Sequence, residues 1–311
     1  MRWAPKCGLF AWGAAAFALA GAGCDDGSLT LLRVLGPAIA NWPRQVEIHS
    51  GLEYARRDDR ALNFDLFQPF PRNGPTPLII NVHGGGWREG TRDQLVEFSY
   101  DFAANGYATA QIDYRVAQDG VVFPAPVADV LEAVRYFQAH AEEFQIDANR
   151  IALFGASAGG HLALLASLSN DTSVFDSSRP VGETSGVKAA ISIFGPTDLT
   201  VEFDSGSPDI RILVENFLGR PLDEATDLRI AASPITYVRS DAPPVLIIHG
   251  DIDSIVPVDQ ARRLIEAMQS LGQPFRYIEV PGMDHYFGAI WQTGFGQQHR
   301  NAAFDFLAAN L

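Results

Sequence analysis

The stretch Ile151-Ala-Leu-Phe-Gly155-Ala-Ser157-Ala-Gly159-Gly160-His161-Leu-Ala-Leu-Leu-Ala166 decides how the chain is organised. A short apolar run stops at Gly155, and a small-residue, then apolar, pattern begins at Ala158. This reads as a buried strand turning sharply into a helix, with Ser157 at the turn. Side chains at positions 155 and 159 would clash where the two backbones come close, which glycine avoids. Such a turn lifts the Ser157 hydroxyl out of the sheet, facing the next N–H and the helix N-terminus. The pentapeptide alone is weak, because small residues recur by chance and a plain turn serine fits it equally well.

Working outward, strand and helix patterns alternate. Leu78-Ile-Ile-Asn-Val82 is a buried strand that runs into His83-Gly84-Gly85-Gly86-Trp87. Helix is expected over Arg92 to Asn105, strand over Tyr107 to Asp113, and a helix opening near Pro126. In that helix Val127, Val130, Leu131, Val134 and Phe137 share one face. Further strands are expected at 187–194, 244–249 and 275–280, and helices at 259–271 and from about 297 to 309. Before all of these, residues 45–67 alternate as antiparallel edge strands, closed by a proline-rich turn. The order predicts a mostly parallel sheet with helices on both faces. Residues 197–240 read as a cap-like insertion in one domain spanning 45–311.

At 311 residues and 47% hydrophobic content, the chain can bury a large core. A net charge of −14 without a basic run argues against nucleic acid as a partner. Residues 1–24 read as a targeting segment. Arg2 and Lys6 precede an apolar run from Leu9 to Ala20, too short for a comfortable membrane span. Gly21-Ala22-Gly23-Cys24 resembles a bacterial lipobox, implying a lipidated Cys24 and an exported, membrane-anchored protein with residues 25–44 as tether. Gly21 departs from that pattern, and a plain secretory cut after Ala22 is the alternative. Only Cys7 and Cys24 exist, so the mature chain closes no internal disulfide.

In a sheet of this kind ligand-facing groups gather at the carboxyl ends of the strands. Those ends carry the glycine loop, Ser157, Gly250-Asp251-Ile252-Asp253, and Pro281-Gly282-Met283-Asp284-His285. A serine hydroxyl needs an adjacent base, for which His285 is suited. The imidazole needs a carboxylate such as Asp253 to fix its tautomer. Charge developing on a substrate oxygen needs preorganised N–H donors, for which Gly85, Gly86 and Ala158 are the candidates.

His83-Gly-Gly-Gly-Trp87 with Gly155-Ala-Ser-Ala-Gly159 resembles the α/β-hydrolase esterases of the hormone-sensitive-lipase type. Tyr114-Arg115, Phe123-Pro124 and Asp129 are closer to the feruloyl-esterase-like BD-FAE branch. His249-Gly250-Asp-Ile-Asp253-Ser-Ile-Val-Pro257 is similar to the family's acid loop, which favours Asp253 over Asp251. The resemblance covers about 45–311 and implies an eight-stranded α/β-hydrolase fold and a triad of Ser157, Asp253 and His285. It also implies an oxyanion hole including Gly85, Gly86 and Ala158, no cofactor, and an ester substrate. Ala156 departs from relatives that carry Glu or Asp there. Amide or formamide substrates, and acetyl or feruloyl groups on polysaccharide, share the chemistry. A silent binding protein shares the fold, and an interfacial lipase would need the insertion to be an apolar lid.

The remaining histidines have plainer readings. His249 and His161 are expected to be packed and structural, and His83 to shape the glycine loop. His49, His140 and His299 are expected in solvent. No pair has a metal-ligand spacing. Asp129 is expected to brace a loop, and Trp87 either lines the mouth or packs the glycine loop.

Overall fold

The computed structural model describes residues 18–19, 32–35, 45–57, 59–169, 171–201, 208–285 and 296–311. Cys24 lies outside the described residues, as does its flanking leader apart from Ala18–Leu19. The alternating segment folds as a long antiparallel hairpin, β3 (Gln45–Arg57) and β4 (Arg60–Phe70). Next come β5 (Thr76–Val82), β6 (Ala108–Ile112), β7 (Ile146–Ala156), β8 (Ala189–Ile193), β9 (Val245–Gly250) and β10 (Phe275–Val280). These are the eight expected strands, in the order β3-β4-β6-β5-β7-β8-β9-β10. From β6 to β10 across the sheet every neighbouring pair is parallel.

Two short strands add to the hairpin edge, β1 (Ala18–Leu19) and β2 (Leu32–Leu35), giving a ten-stranded sheet. β2 pairs antiparallel with β3, Leu32 opposite Ile48 and Val34 opposite Val46. The segment read as a plain tether thus contains a paired strand. Without it, β3 would present a row of unpaired N–H and C=O groups.

Burial follows the two-residue period of the strands. In β5, Leu78, Ile80 and Val82 face one core, with α2 (Ala125–Ala139) and α3 (Ala158–Leu168) packed over it. Ile79 faces the other, under Phe98 and Phe102 of α1 (Val96–Ala104) and Phe306 and Leu307 of α7 (Gln297–Asn310). The five residues read as one face of α2 are all buried. α6 (Asp259–Leu271) packs Leu264 and Met268 against Val245 and Ile247, and ends at Gly272 in the left-handed region.

Two features of this order position the site. The chain leaves β5 for β6 on one side, then crosses to β7 on the other. The carboxyl end of β5 is therefore a switch point, where a crevice opens beside the glycine loop. The insertion, between β8 and β9, carries α4 (Pro208–Leu218) and α5 (Thr226–Ala231). Val214, Phe217 and Leu218 join the core, so the insertion is rooted in the domain.

Phe137 is fully buried, in edge contact with Phe64 at 4.9 Å and near Tyr136 and Phe144. Phe137→Ala should cost about 3–5 kcal/mol of unfolding free energy, read from the denaturation midpoint. A loss under about 1 kcal/mol would show that this face of α2 does not bear on the core.

Candidate active site

Ser157 sits at the β7–α3 turn with φ 56° and ψ −124°, a backbone shape costly for a residue with a side chain. Two contacts hold it there: its N–H donates to the Ile193 carbonyl at 2.9 Å, and its carbonyl accepts from His161 N at 3.0 Å. The neighbouring glycines leave no alternative. A Cβ on Gly155 would lie 2.3 Å from the Gly159 carbonyl carbon, and one on Gly159 would lie 2.0 Å from the Val82 oxygen.

The three groups expected to meet do so, although 128 residues separate Ser157 from His285 and 32 separate His285 from Asp253. His285 Nε2 lies 3.1 Å from Ser157 Oγ, and His285 Nδ1 lies 2.7 Å from Asp253 Oδ2. The other carboxylate oxygen of Asp253 accepts from the Ile255 and Val256 N–H groups at 3.0 and 2.8 Å. Burial pushes the Asp253 carboxyl up, but hydrogen bonds from His249 and His285 outweigh it and hold it well below the usual carboxylate range. An ionised Asp253 only accepts, so the His285 proton sits on Nδ1 and the Nε2 lone pair faces the serine hydroxyl. Asp251 does a different job: its Oδ1 accepts from Gly282 N at 2.6 Å, joining the acid loop to the histidine loop.

Two further contacts escaped the motif reading. Asp284 Oδ1 accepts from Ser254 N and Oγ, both at 2.8 Å, and from His285 N at 2.7 Å. Phe194, in a positive-φ position after β8, packs 4.3 Å from the His285 ring. Neither has a recognisable spacing signal, since each depends on loops brought together by the sheet.

The glycine loop is braced from below. The Tyr114 hydroxyl donates to the His83 carbonyl at 2.9 Å, and its ring stacks on His83 at 4.2 Å. His83 Nδ1–H donates to the Gly84 carbonyl at 2.8 Å. Asp129, fully buried, accepts from the Arg115 backbone and takes its guanidinium at 2.8 Å through both oxygens, bracing the loop after β6. Gly85, Gly86, Ser157, Ala158 and His285 line one cavity of about 920 Å³. Its apolar walls come from Leu95 and Phe98 on one side and from Ile210 and Leu213 of α4 on another.

Trp87 both lines this cavity and packs the loop; its side chain is buried and stacks on Phe217 at 4.7 Å. His249 is fully buried, donating through Nε2 to the Val256 carbonyl at 2.8 Å, and lies 3.4 Å from Asp253. His161 is also fully buried, with Nδ1 accepting from Trp87 and Nε2–H donating to the Ala232 carbonyl. Of the three histidines expected in solvent, His49 and His140 are half-buried, His140 stacked on Tyr136 at 4.1 Å, and His299 is buried on α7. It falls on the helix face that the sheet covers. Among the described residues no three His, Cys, Asp or Glu side chains gather as metal ligands.

Residues 64–268 match the BD-FAE family model. The chain is 35% identical over 222 residues to esterase LipC of Mycobacterium tuberculosis, covering 70% of this chain and 54% of that protein. It spans about half the length of the curated relatives it matches. Among solved structures, esterase 2 of the planctomycete Thermogutta terrifontis superposes with a TM-score of 0.69 at 26% identity, covering 88% of this chain and 94% of that one. A truncated carbohydrate esterase from gut microbiota gives 0.68 at 25% identity, covering 84% and 95%.

Burial lowers the His161 pKa to about 4, against a smaller opposing effect of its bond to Ala232. The folded state therefore prefers the neutral ring, whereas the unfolded chain takes up a proton as pH falls below about 6.5. Stability from this group is complete above pH 6.5 and is lost as pH falls towards 4, a change on the order of 3 kcal/mol. Denaturation midpoints of His161→Gln should accordingly fall less steeply than wild type over that window; parallel slopes would contradict this.

Proposed function

The chain belongs to the BD-FAE family, and on that premise we propose that it is a serine hydrolase cleaving carboxylic esters. The observation that carries this reading is the continuous line Asp253–His285–Ser157, with contacts of 2.7 and 3.1 Å, opening into the cavity beside the glycine loop. Ser157 attacks the ester carbonyl while His285 Nε2 accepts its proton. Asp253, ionised, stabilises the imidazolium without taking the proton itself. Negative charge on the former carbonyl oxygen is met by the amides of Gly85, Gly86 and Ala158, each such donor worth about 2.7–4 kcal/mol. His285 then protonates the leaving alkoxide, and water repeats the sequence on the acyl-enzyme.

LipC and the two structural neighbours are esterases by name, which supports an ester substrate over an amide. The Thermogutta esterase has also been seen with butyrate bound. An acyl chain suits the apolar walls that Leu95, Phe98 and Leu213 give the cavity. The carbohydrate esterase neighbour favours a second reading, in which the ester is an acetyl or feruloyl group on a polysaccharide. An ester panel of varied acyl length, with acetyl-xylan and feruloyl substrates beside it, separates the two. The basic start, apolar run and Cys24 of the leader support export with a lipid anchor at that cysteine. An unmodified mature chain beginning at Gly23, read by mass spectrometry, would remove the anchor.

Ser157→Ala should abolish hydrolysis of p-nitrophenyl butyrate and labelling by a fluorophosphonate probe while leaving the denaturation midpoint near wild type. Asp253→Asn should lower kcat by roughly 10⁴-fold. Undiminished turnover in the serine variant would reject the assignment.

A further inference from the structure

Gly85 and Gly86 both adopt positive φ, 108° and 60°, and Trp87 follows them at 56°. Glycine backbone has the most freedom to lose, and these glycines have no side chains with which to pack. The Gly85 carbonyl accepts from the Arg88 and Glu89 N–H groups at 3.1 and 3.2 Å, and the rest of what fixes these amides acts through the residues around them. On one side His83 does so, stacked on Tyr114. On the other side stands Trp87, held through its backbone and its indole. Its carbonyl accepts from Ala117 N at 2.8 Å. Its ring stacks on Phe217 of α4 at 4.7 Å and 20°, and meets His161 edge-on at 5.0 Å and 79°.

The His161 imidazole is fully buried and bonded at both nitrogens. Trp87 Nε1–H donates to its Nδ1 at 3.1 Å, and its Nε2–H donates to the Ala232 carbonyl at 2.7 Å. An indole N–H can only donate and a carbonyl can only accept, so the partners themselves fix the tautomer. His161 lies one turn after Ser157, and its backbone N–H donates to the Ser157 carbonyl at 3.0 Å. Ala232 closes α5 in the insertion. One ring therefore joins the glycine loop, the nucleophile helix and the insertion.

We propose that His161 is a positioning residue for the glycine loop, locking Trp87, and through it the Gly85 and Gly86 amides, against both α3 and the insertion. The inference rests on the ester-hydrolase reading for its kinetic consequence, although the link itself is independent of activity. His161 touches no reacting atom. Its effect falls on the alignment of the donors, which counts in the transition state more than in substrate binding.

The test compares wild type with Trp87→Phe, His161→Phe and His161→Gln, and with the double variant Trp87→Phe/His161→Phe, on p-nitrophenyl butyrate. Phenylalanine keeps the ring packing and removes the hydrogen bond, so each single variant should lower kcat about tenfold while KM stays within about twofold. Glutamine offers an acceptor and a donor and should restore most of the loss. The double variant should be no slower than the slower single one, because both remove one link. Independently of turnover, the Trp87 indole ¹H–¹⁵N resonance should move in His161→Phe. Additive losses, wild-type kcat in Trp87→Phe, or an unmoved indole resonance would overturn the proposal. If His161→Phe fails to fold, the Trp87→Phe kinetics decide it: a kcat loss with KM near wild type supports the link, and wild-type kcat overturns it. Turnover surviving in Ser157→Ala would instead count against the ester reading, leaving the indole measurement to judge the link.

Discussion

The fold and the site both hang on one contact, where α3 leaves β7 with no room for a side chain. With Gly159 pressed against the Val82 oxygen and Gly155 against Gly159, the chain has one way through the turn, and Ser157 takes the left-handed backbone. An isolated peptide would not hold that shape, which costs of the order of 1–3 kcal/mol. The cost is met by the surroundings: α3 is buried along its whole length, and β7 is paired on both sides. Because the turn abuts the end of β5, the same contact brings the serine beside the glycine loop.

Around that point the molecule uses buried imidazoles in three different environments. His285 bridges an ionised carboxylate and a hydroxyl and opens on the cavity. His249 lies behind the carboxylate and helps to keep it ionised despite its burial. His161 is sealed between an indole and a carbonyl, and desolvation keeps it neutral. The side chains are chemically identical, and their partners alone separate them.

Much of this was legible in the order of residues. The 3.6-residue face of α2, the glycine stop of α6 and the buried run of β5 all stand where periodicity puts them, because local sterics and burial act on neighbouring positions. Motif position favours Asp253 over Asp251, and in the fold Asp251 makes a loop-joining bond instead. Other features were hidden. The burial of His299 depends on which face of α7 meets the sheet. The pairing of Leu32–Leu35 depends on an edge left open by β3.

The alternation of elements, the strained serine turn and the polar loops at the strand ends can all be read from residue order. These follow from side-chain period, glycine sterics and turn chemistry, all of which act within a few residues. That Asp284 clasps the Asp253 loop, that Phe194 lies against His285 and that Trp87 turns inward to His161 emerges only in the assembled fold. Those contacts join segments tens of residues apart. They exist because a twisted parallel sheet delivers separate strand ends to one edge, a geometry that no local pattern encodes.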